Sequence, residues 1–431
     1  MTTTAIKMDH LARVEGHGNV HVVIEDGRVE TVEMNIVEPS RLFESMVRGR
    51  SYTESSYISS RVCGICSASH VVTDLLAIEH AFGIQVTDRT RALRELLVYG
   101  SFLQNHATHL YVLAAPDYLR KRSIFPLAEM DRSLFDQALG LKALGNELCN
   151  KVGGRSIHPI TAVVGGFTHE ITPDEYRALA EKLTAAIPFA EQTVDLFHSF
   201  PVPQMETAGD FLAMEAEGDA AYPVEGSCRA RFVRAGRSFD VADVDDEIEE
   251  YRVDHAAAEF SRMRATGSTF MCSALSRLNA SWDRLSKRAK IAAAKVGLRP
   301  PAYNPMLNNV AQAIELVDAL ERCASLCLRL ADDEFEGSSA PVAFEVHAGV
   351  GVGFTEAPRG SLFHKLELDD DGRIVHASII TPTSENLANL EADTRLLAEQ
   401  LVAAGACADE AKAEIAKLVR AYDPCLSCSV H

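Results

Sequence analysis

No apolar run in this 431-residue chain approaches 18 residues, so no transmembrane helix is expected. The opening MTTTAIKMDH lacks a basic start followed by an apolar stretch and does not read as a secretory signal. Positive charge is scarce: 42 Lys and Arg against 61 Asp and Glu leave a formal net charge of −19. That balance argues against nucleic acid and anionic membrane as partners, since both need basic surface. It fits a partner protein or a neutral small substrate. Ten cysteines are too few for a disulfide scaffold at this length. A reducing, cytoplasmic compartment is the default expectation. Repeats, low-complexity linkers and long Pro/Ser tracts are all missing. Length alone admits two or three domains, but the absence of a linker favours one body spanning 1–431.

Against these absences stand clear local signals. Residues 19–37 alternate apolar and polar positions on either side of Asp26-Gly27, which predicts a β-hairpin. The same device recurs at 362–381 around Asp371-Gly372. Between them, helical periodicity predicts a helix after RVCGIC, capped by Ser67 or Ser69 and running to Gly83, and another over 90–113. Further helices are expected over 131–150, 173–198, 243–298 (with breaks), 305–332 and 385–421. Residues 207–240 read as an irregular or β-containing excursion. The fold class is therefore α+β and predominantly helical, a long-helix bundle with β-hairpins near both ends.

Four of the cysteines fall into two Cys-x-x-Cys pairs: Cys63 and Cys66 in RVCGIC, and Cys425 and Cys428 in DPCLSCSVH. Thiolates are soft ligands for Ni, Zn, Cu(I) or iron–sulfur centres, and one such pair can reach one metal. Several readings stand together at this point: a shared metal site, structural zinc, a cluster, or a redox dithiol. Structural zinc and clusters commonly draw their cysteines from closer in sequence. A redox dithiol wants a βαβ context that neither pair has. Cys149, Cys228, Cys272, Cys323, Cys327 and Cys407 read as small buried hydrophobes.

The flanking residues narrow the choice. R-x-C-G-x-C-x-x-x-H at 61–70, D-P-C-x-x-C-x-x-H at 423–431, RVEGHG at 13–18, SRLFE at 40–44, EAPRG at 356–360 and TPTSEN at 381–386 together resemble the large subunit of nickel–iron hydrogenases. The likeness runs from about residue 10 to the last residue; roughly 200–300 carries none of the motifs. It implies reversible heterolytic cleavage of dihydrogen at a nickel–iron centre whose iron carries one carbon monoxide and two cyanides. It implies Cys63 and Cys425 as terminal nickel ligands and Cys66 and Cys428 as bridges. His70 would tune a bridging thiolate; in isolation it would read as a histidine capping its own helix. Arg359 would hang over the open position, with Asp117 and Asp423 pairing to it. Glu15 would take the proton from the nickel-bound thiolate of Cys425. Pro382 and Thr383 would line the pocket of the diatomic ligands.

The resemblance also implies a magnesium ion, or another divalent cation, held by Glu44, the backbone carbonyl of Ile379 and His431. Ending on His431 matches either a processed chain or a gene without an extension. The chain has no spare cysteine constellation, so iron–sulfur clusters would lie in an obligate small subunit, with further electron-transfer subunits beyond it. HATHLYVLAAPDYL and RALRELLVYGSFLQ look like the soluble branch coupled to heterodisulfide reductase, the non-F420-reducing type. NAD(P)-linked and F420-reducing forms are the alternatives, as is a non-catalytic scaffold that keeps the fold without the cysteines. One departure is visible: Ser384-Glu385 stands where many relatives have an aromatic.

Overall fold

The computed structural model describes residues 3–218 and 222–431. Three antiparallel strands open it, Thr3–Met8, Gly18–Glu25 and Arg28–Ile36, in that spatial order. The expected hairpin is there, turning on Asp26 (φ 46°) and Gly27 (φ 79°), two positive φ values of the kind that match strand twist in a tight hairpin. The strand Thr3–Met8 goes beyond the sequence expectation, because TTAIKM shows too little alternation to announce it.

The second predicted hairpin, Gly360–Leu368 with Ile374–Ile380, is also present, and a third strand, Gly349–Ala357, pairs with its first member. Its sequence, GVGVGFTEA, carries glycines at 349, 351 and 353. In the structure they let this strand lie directly on the helix Ser67–Phe82. A Cβ on Gly351 would come 2.0 Å from the Ala77 carbonyl oxygen, and one on Gly353 would come 1.9 Å from that of Thr73.

That helix ends as expected on Gly83 (φ 64°), but its start differs. The N-cap is Cys66, with no side-chain cap. Ser67 Oγ instead accepts the His158 N–H at 2.9 Å, and Ser69 Oγ is buried. The positive end of the helix is thereby left facing Cys66.

The helical body consists of Asp88–Thr108, Arg132–Gly153, Pro173–Ser199 and Asn308–Ala331, close to their expected limits. Asn308–Ala331 packs against both Pro173–Ser199 and Asp88–Thr108. Past Thr108 the chain winds on through a π-helical turn, His109–Ala114, into Ala115–Tyr118. The expected helix over 385–421 is two, Pro382–Ala403 and Ala408–Ala421, broken at Gly405 (φ 73°).

Of the helices expected over 243–298, with breaks, Val244–Glu247, Ala274–Ser281 and Lys287–Lys295 are present. Between them the chain forms strands Ile248–Arg252, Glu259–Met263 and Phe270–Cys272 instead. Ile248–Arg252 and Glu259–Met263 pair antiparallel with each other, which takes this charged stretch out of the helical body. The excursion at 207–240 does contain strands: Asp210–Met214, Arg229–Phe232 and Arg237–Asp240 form a sheet with Phe270–Cys272, which runs parallel to Asp210–Met214. Its apolar face continues into Phe354 and Phe363 of the C-terminal sheet. Cys149, Cys272, Cys323 and Cys327 are buried as expected, whereas Cys228 and Cys407 are exposed. Cys407 sits at the N-cap of Ala408–Ala421, which places it outside the core. Among the described residues no helix is long and apolar enough to cross a membrane.

Candidate metal centre

The two cysteine pairs meet in the interior. Cys63 follows the short turn Ser60–Val62, and Cys66 opens the helix Ser67–Phe82. Cys425 and Cys428 lie in the turn that leaves Ala408–Ala421 through Asp423 (φ 50°). Cys63 Sγ is 3.9 Å from Cys425 Sγ, and the sulfurs of Cys63, Cys66 and Cys428 lie within 4.8 Å of one another. Cys425 and Cys428 are joined as a disulfide, while Cys63 and Cys66 are free. Four thiolate ligands therefore require this pair in its reduced form. None of the four is more than 4% exposed, so bulk water does not solvate the sulfurs.

The N-terminal segment reaches this cluster because of a glycine. Glu15 bridges Cys425 in parallel fashion, and Gly16 (φ 82°) lies so close to the last turn that a Cβ would be 2.7 Å from the Ser427 nitrogen. Glu15 Oε2 is 3.0 Å from Cys425 Sγ and accepts the Ser427 N–H at 3.2 Å; Glu15 Oε1 accepts the Ser427 hydroxyl at 2.6 Å.

Arg359 occupies the tip between Gly349–Ala357 and Gly360–Leu368. Its Nε donates to the Asp423 carbonyl at 2.8 Å and to Asp423 Oδ1 at 3.2 Å, while its buried Nη1 has no partner. Burial opposes its charge, but Asp423 and the cysteines outweigh that and raise its pKa. For Asp423, burial works upward, and Arg359 and His109 pull the carboxyl below its ordinary range. Burial likewise opposes ionisation of Cys63, yet the Cys66 hydrogen bond and Arg359 lower it below an ordinary thiol. Cys66 is pushed well up by its hydrogen bond to Cys63 and by burial. Cys63 is thus the first of the two to ionise.

Asp117 does not pair with Arg359. Its Oδ1 meets Arg13 Nη2, and its Oδ2 accepts Arg420 Nη1 at 2.6 Å. The π turn before Ala115–Tyr118 carries Asp117 past the cluster, where it ties the N-terminal segment to the last long helix. The support for Asp423 comes instead from Asn105 Nδ2 at 2.8 Å and Gln312 Nε2 at 3.1 Å. Sequence reasoning misses both, since neutral amides in helix interiors give little signal. The one hint is Asn105 at the head of NHATH, whose two histidines are also buried.

His70 Nδ1 is 3.1 Å from His364 Nε2, and His364 Nδ1 is 3.2 Å from Asp74 Oδ1, which also accepts the Ser55 hydroxyl at 3.0 Å. This buried row orients the imidazole that follows the first pair. Burial and His364 hold the His70 pKa well below its ordinary value, so it is neutral. Thr383 Oγ1 accepts the Cys425 N–H at 3.0 Å, and the Pro382 carbonyl faces Cys272 Sγ at 3.4 Å.

Beside the cluster a cavity of about 410 Å³ is lined by Glu44, Glu259, Ser429 and His431 among others. Glu44 Oε1 accepts the Ile379 N–H at 2.8 Å, and His431 Nδ1 is 2.9 Å from the Cys428 carbonyl. The three residues expected at a divalent cation thus flank one part of the structure, with the Ile379 amide rather than its carbonyl turned to Glu44.

Four sulfurs from opposite ends of the chain, converging under an arginine with one unpartnered buried N–H group, fit a thiolate-held nickel–iron centre. Zinc bound by a small local module does not describe this site, because each pair is delivered by a different part of the core.

Comparison with known proteins agrees with that donor set. Residues 41–139 and 281–431 match the nickel-dependent hydrogenase family. The chain is 37% identical to the alpha subunit of sulfhydrogenase 1 from Pyrococcus furiosus, over 99% of this chain and 97% of that one. It is 30% identical to an F420-non-reducing hydrogenase chain of Methanothermobacter thermautotrophicus, over 99% and 94%. A crystal structure of an NAD+-reducing [NiFe]-hydrogenase in its H2-reduced state superposes with a TM-score of 0.85 at 29% identity, covering 99% of both chains. The converging cysteines and the full-length likeness lead to one conclusion: the chain belongs to the nickel-dependent hydrogenases, as a large subunit with a cysteine-held Ni–Fe centre.

Proposed function

We propose that this subunit cleaves and forms dihydrogen reversibly and heterolytically, with Cys63 and Cys425 as terminal and Cys66 and Cys428 as bridging ligands of a nickel–iron centre carrying one carbon monoxide and two cyanides. When bound, that group supplies the Lewis acidity and electron storage that dihydrogen cleavage needs. The rest is done by the chain. The Cys425 thiolate accepts the proton, and Glu15 Oε2, 3.0 Å away, relays it outward. This contact is the single observation that carries the reading. Arg359 places a fixed positive charge over the sulfurs; a guanidinium is too weak an acid to be the base itself. Pro382 and Thr383 line the diatomic ligands, His70 tunes a bridging sulfur, and Glu44, Ile379 and His431 hold a magnesium or similar ion.

Electrons leave through iron–sulfur clusters of a small subunit, then through further electron-transfer subunits to a soluble, cytoplasmic acceptor. The likeness to the F420-non-reducing hydrogenase chain supports the non-F420-reducing type, which we read, from the motifs over 91–104 and 106–119, as the one linked to heterodisulfide reductase. A second reading, an NAD-linked enzyme, is favoured by the superposition on the NAD+-reducing hydrogenase.

The test is metal analysis and infrared spectroscopy of the assembled enzyme. About one nickel and at least one iron per chain, with carbon monoxide and cyanide stretching bands, support the proposal. Zinc alone, or no metal, sinks it. Cys425→Ser should lose both nickel and turnover.

A further inference from the structure

Arg359 is held from two sides. In front, Asp423 accepts its Nε. Behind the hairpin tip lies a second buried arginine, Arg277, from the helix Ala274–Ser281. Arg277 Nη1 donates to the Ala357 carbonyl at 2.9 Å and to Glu356 Oε2 at 3.1 Å. Its Nη2 donates to the Pro358 carbonyl at 2.9 Å and to Glu315 Oε2 at 2.8 Å. Its Nε donates to Glu315 Oε1 at 2.7 Å. All five donors of a guanidinium are thereby used, and two of them grip the carbonyls of the two residues immediately before Arg359.

The gripping group is itself immobile. Glu315 also takes the Tyr222 hydroxyl at 2.6 Å and faces His106 Nε2 at 2.9 Å. Burial would raise its pKa, but Arg277 and His106 override this and bring it to about 2. The Arg277 guanidinium lies 4.8 Å over the Phe102 ring. On the far side of the tip, Gly360 (φ 142°) packs so tightly that a Cβ would be 2.5 Å from Cys272 Sγ. Arg277 on one side and this close approach on the other hold the tip between them.

A buried ion pair is often no more stabilising than well-packed apolar residues of similar volume. Its spending of two donors on backbone carbonyls next to a single functional side chain points to placement rather than stability. We propose that Arg277 is a positioning residue that sets the place of the Arg359 guanidinium over the sulfur cluster by gripping the Ala357 and Pro358 carbonyls. The inference rests on the reading of Arg359 as an acting group.

The experiment compares Arg277→Lys in the complete enzyme with Arg277→Met/Glu315→Gln/Glu356→Gln, which removes both ion pairs without stranding a buried carboxylate. A lysine ammonium keeps the charge but cannot span both carbonyls and both carboxylates. Both variants are expected to bind nickel and iron at parental levels. Crystal structures should show Arg359 displaced from Asp423, and turnover should fall about 100-fold, with a smaller change in KM for dihydrogen. Arg359 found in its parental place in a folded variant, whatever the turnover, overturns the proposal. Arg359 displaced with full turnover would support the grip and refute the acting role of Arg359. If the parent enzyme lacks nickel and activity, the functional reading fails, while the crystallographic comparison still decides what Arg277 does.

Discussion

Glu15 Oε2 and Cys425 Sγ lie 3.0 Å apart although 410 positions separate them in the chain. Ser427 fixes the carboxylate with both its N–H and its hydroxyl, so the oxygen facing the sulfur has one orientation. Glu15→Gln keeps the size and can keep the Ser427 N–H contact through its amide oxygen, but it cannot accept a proton. It should retain nickel at the parental level and lose proton–deuterium exchange by at least about 100-fold. Undiminished exchange with full metal content would refute the relay.

Asp117 carries a different expectation from Asp423. Because it joins Arg13 to Arg420, Asp117→Asn should loosen the docking of the N-terminal segment and cost about 2 kcal/mol in denaturant unfolding. A crystal structure of the variant should show the Arg359–Asp423 pair unmoved. Displacement of Arg359 would show instead that Asp117 supports its place indirectly.

The glycine stripe of Gly349–Ala357 should be intolerant of side chains. A Cβ at Gly353 would sit 1.9 Å from the Thr73 carbonyl oxygen and 2.7 Å from the Ala77 nitrogen, both backbone atoms that cannot yield cheaply. Gly353→Ala is expected to destabilise by about 3 kcal/mol, and thermal unfolding followed by circular dichroism would show it. Gly27→Ala meets no atom within 4 Å and is limited only by its φ of 79°, so it should cost less.

Burial raises Glu225 to about 7; Arg94 works against the rise and Glu95 adds to it. Unfolded, the same carboxyl titrates near 4.5. Between those values the folded chain binds more protons than the unfolded chain, so stability falls as pH rises through the window. Glu225→Gln removes that contribution. The variant should gain stability over the parent as pH climbs from 4.5 to 7 and hold the gain above it. Urea unfolding at pH 5 and pH 8 reads this directly, and a constant difference between the two proteins would contradict it.

Much of the architecture is written locally. Asp26-Gly27 and Asp371-Gly372 announce their hairpins because φ > 0 turns depend on adjacent residues only. Gly83 announces a helix end for the same reason. The cysteine pairs, Arg359 and His431 stand in motifs that contain their own context. By contrast, nothing in GVGVGFTEA reveals the helix backbone that its glycines touch. Residues 243–298 read as helical because charge content says little about which face a strand buries.

The amino-acid order by itself determined which thiols are candidates for metal, where the chain turns and that its body is mainly helical, since each follows from short-range sterics or donor chemistry. Only the tertiary structure decided which groups surround the cluster. It put Asn105 and Gln312, not Asp117, beside Asp423, laid Glu15 against Cys425, and set Arg277 behind the Arg359 tip. Those relations join elements far apart in sequence. They depend on how the long helices and the sheets pack, which no local pattern encodes.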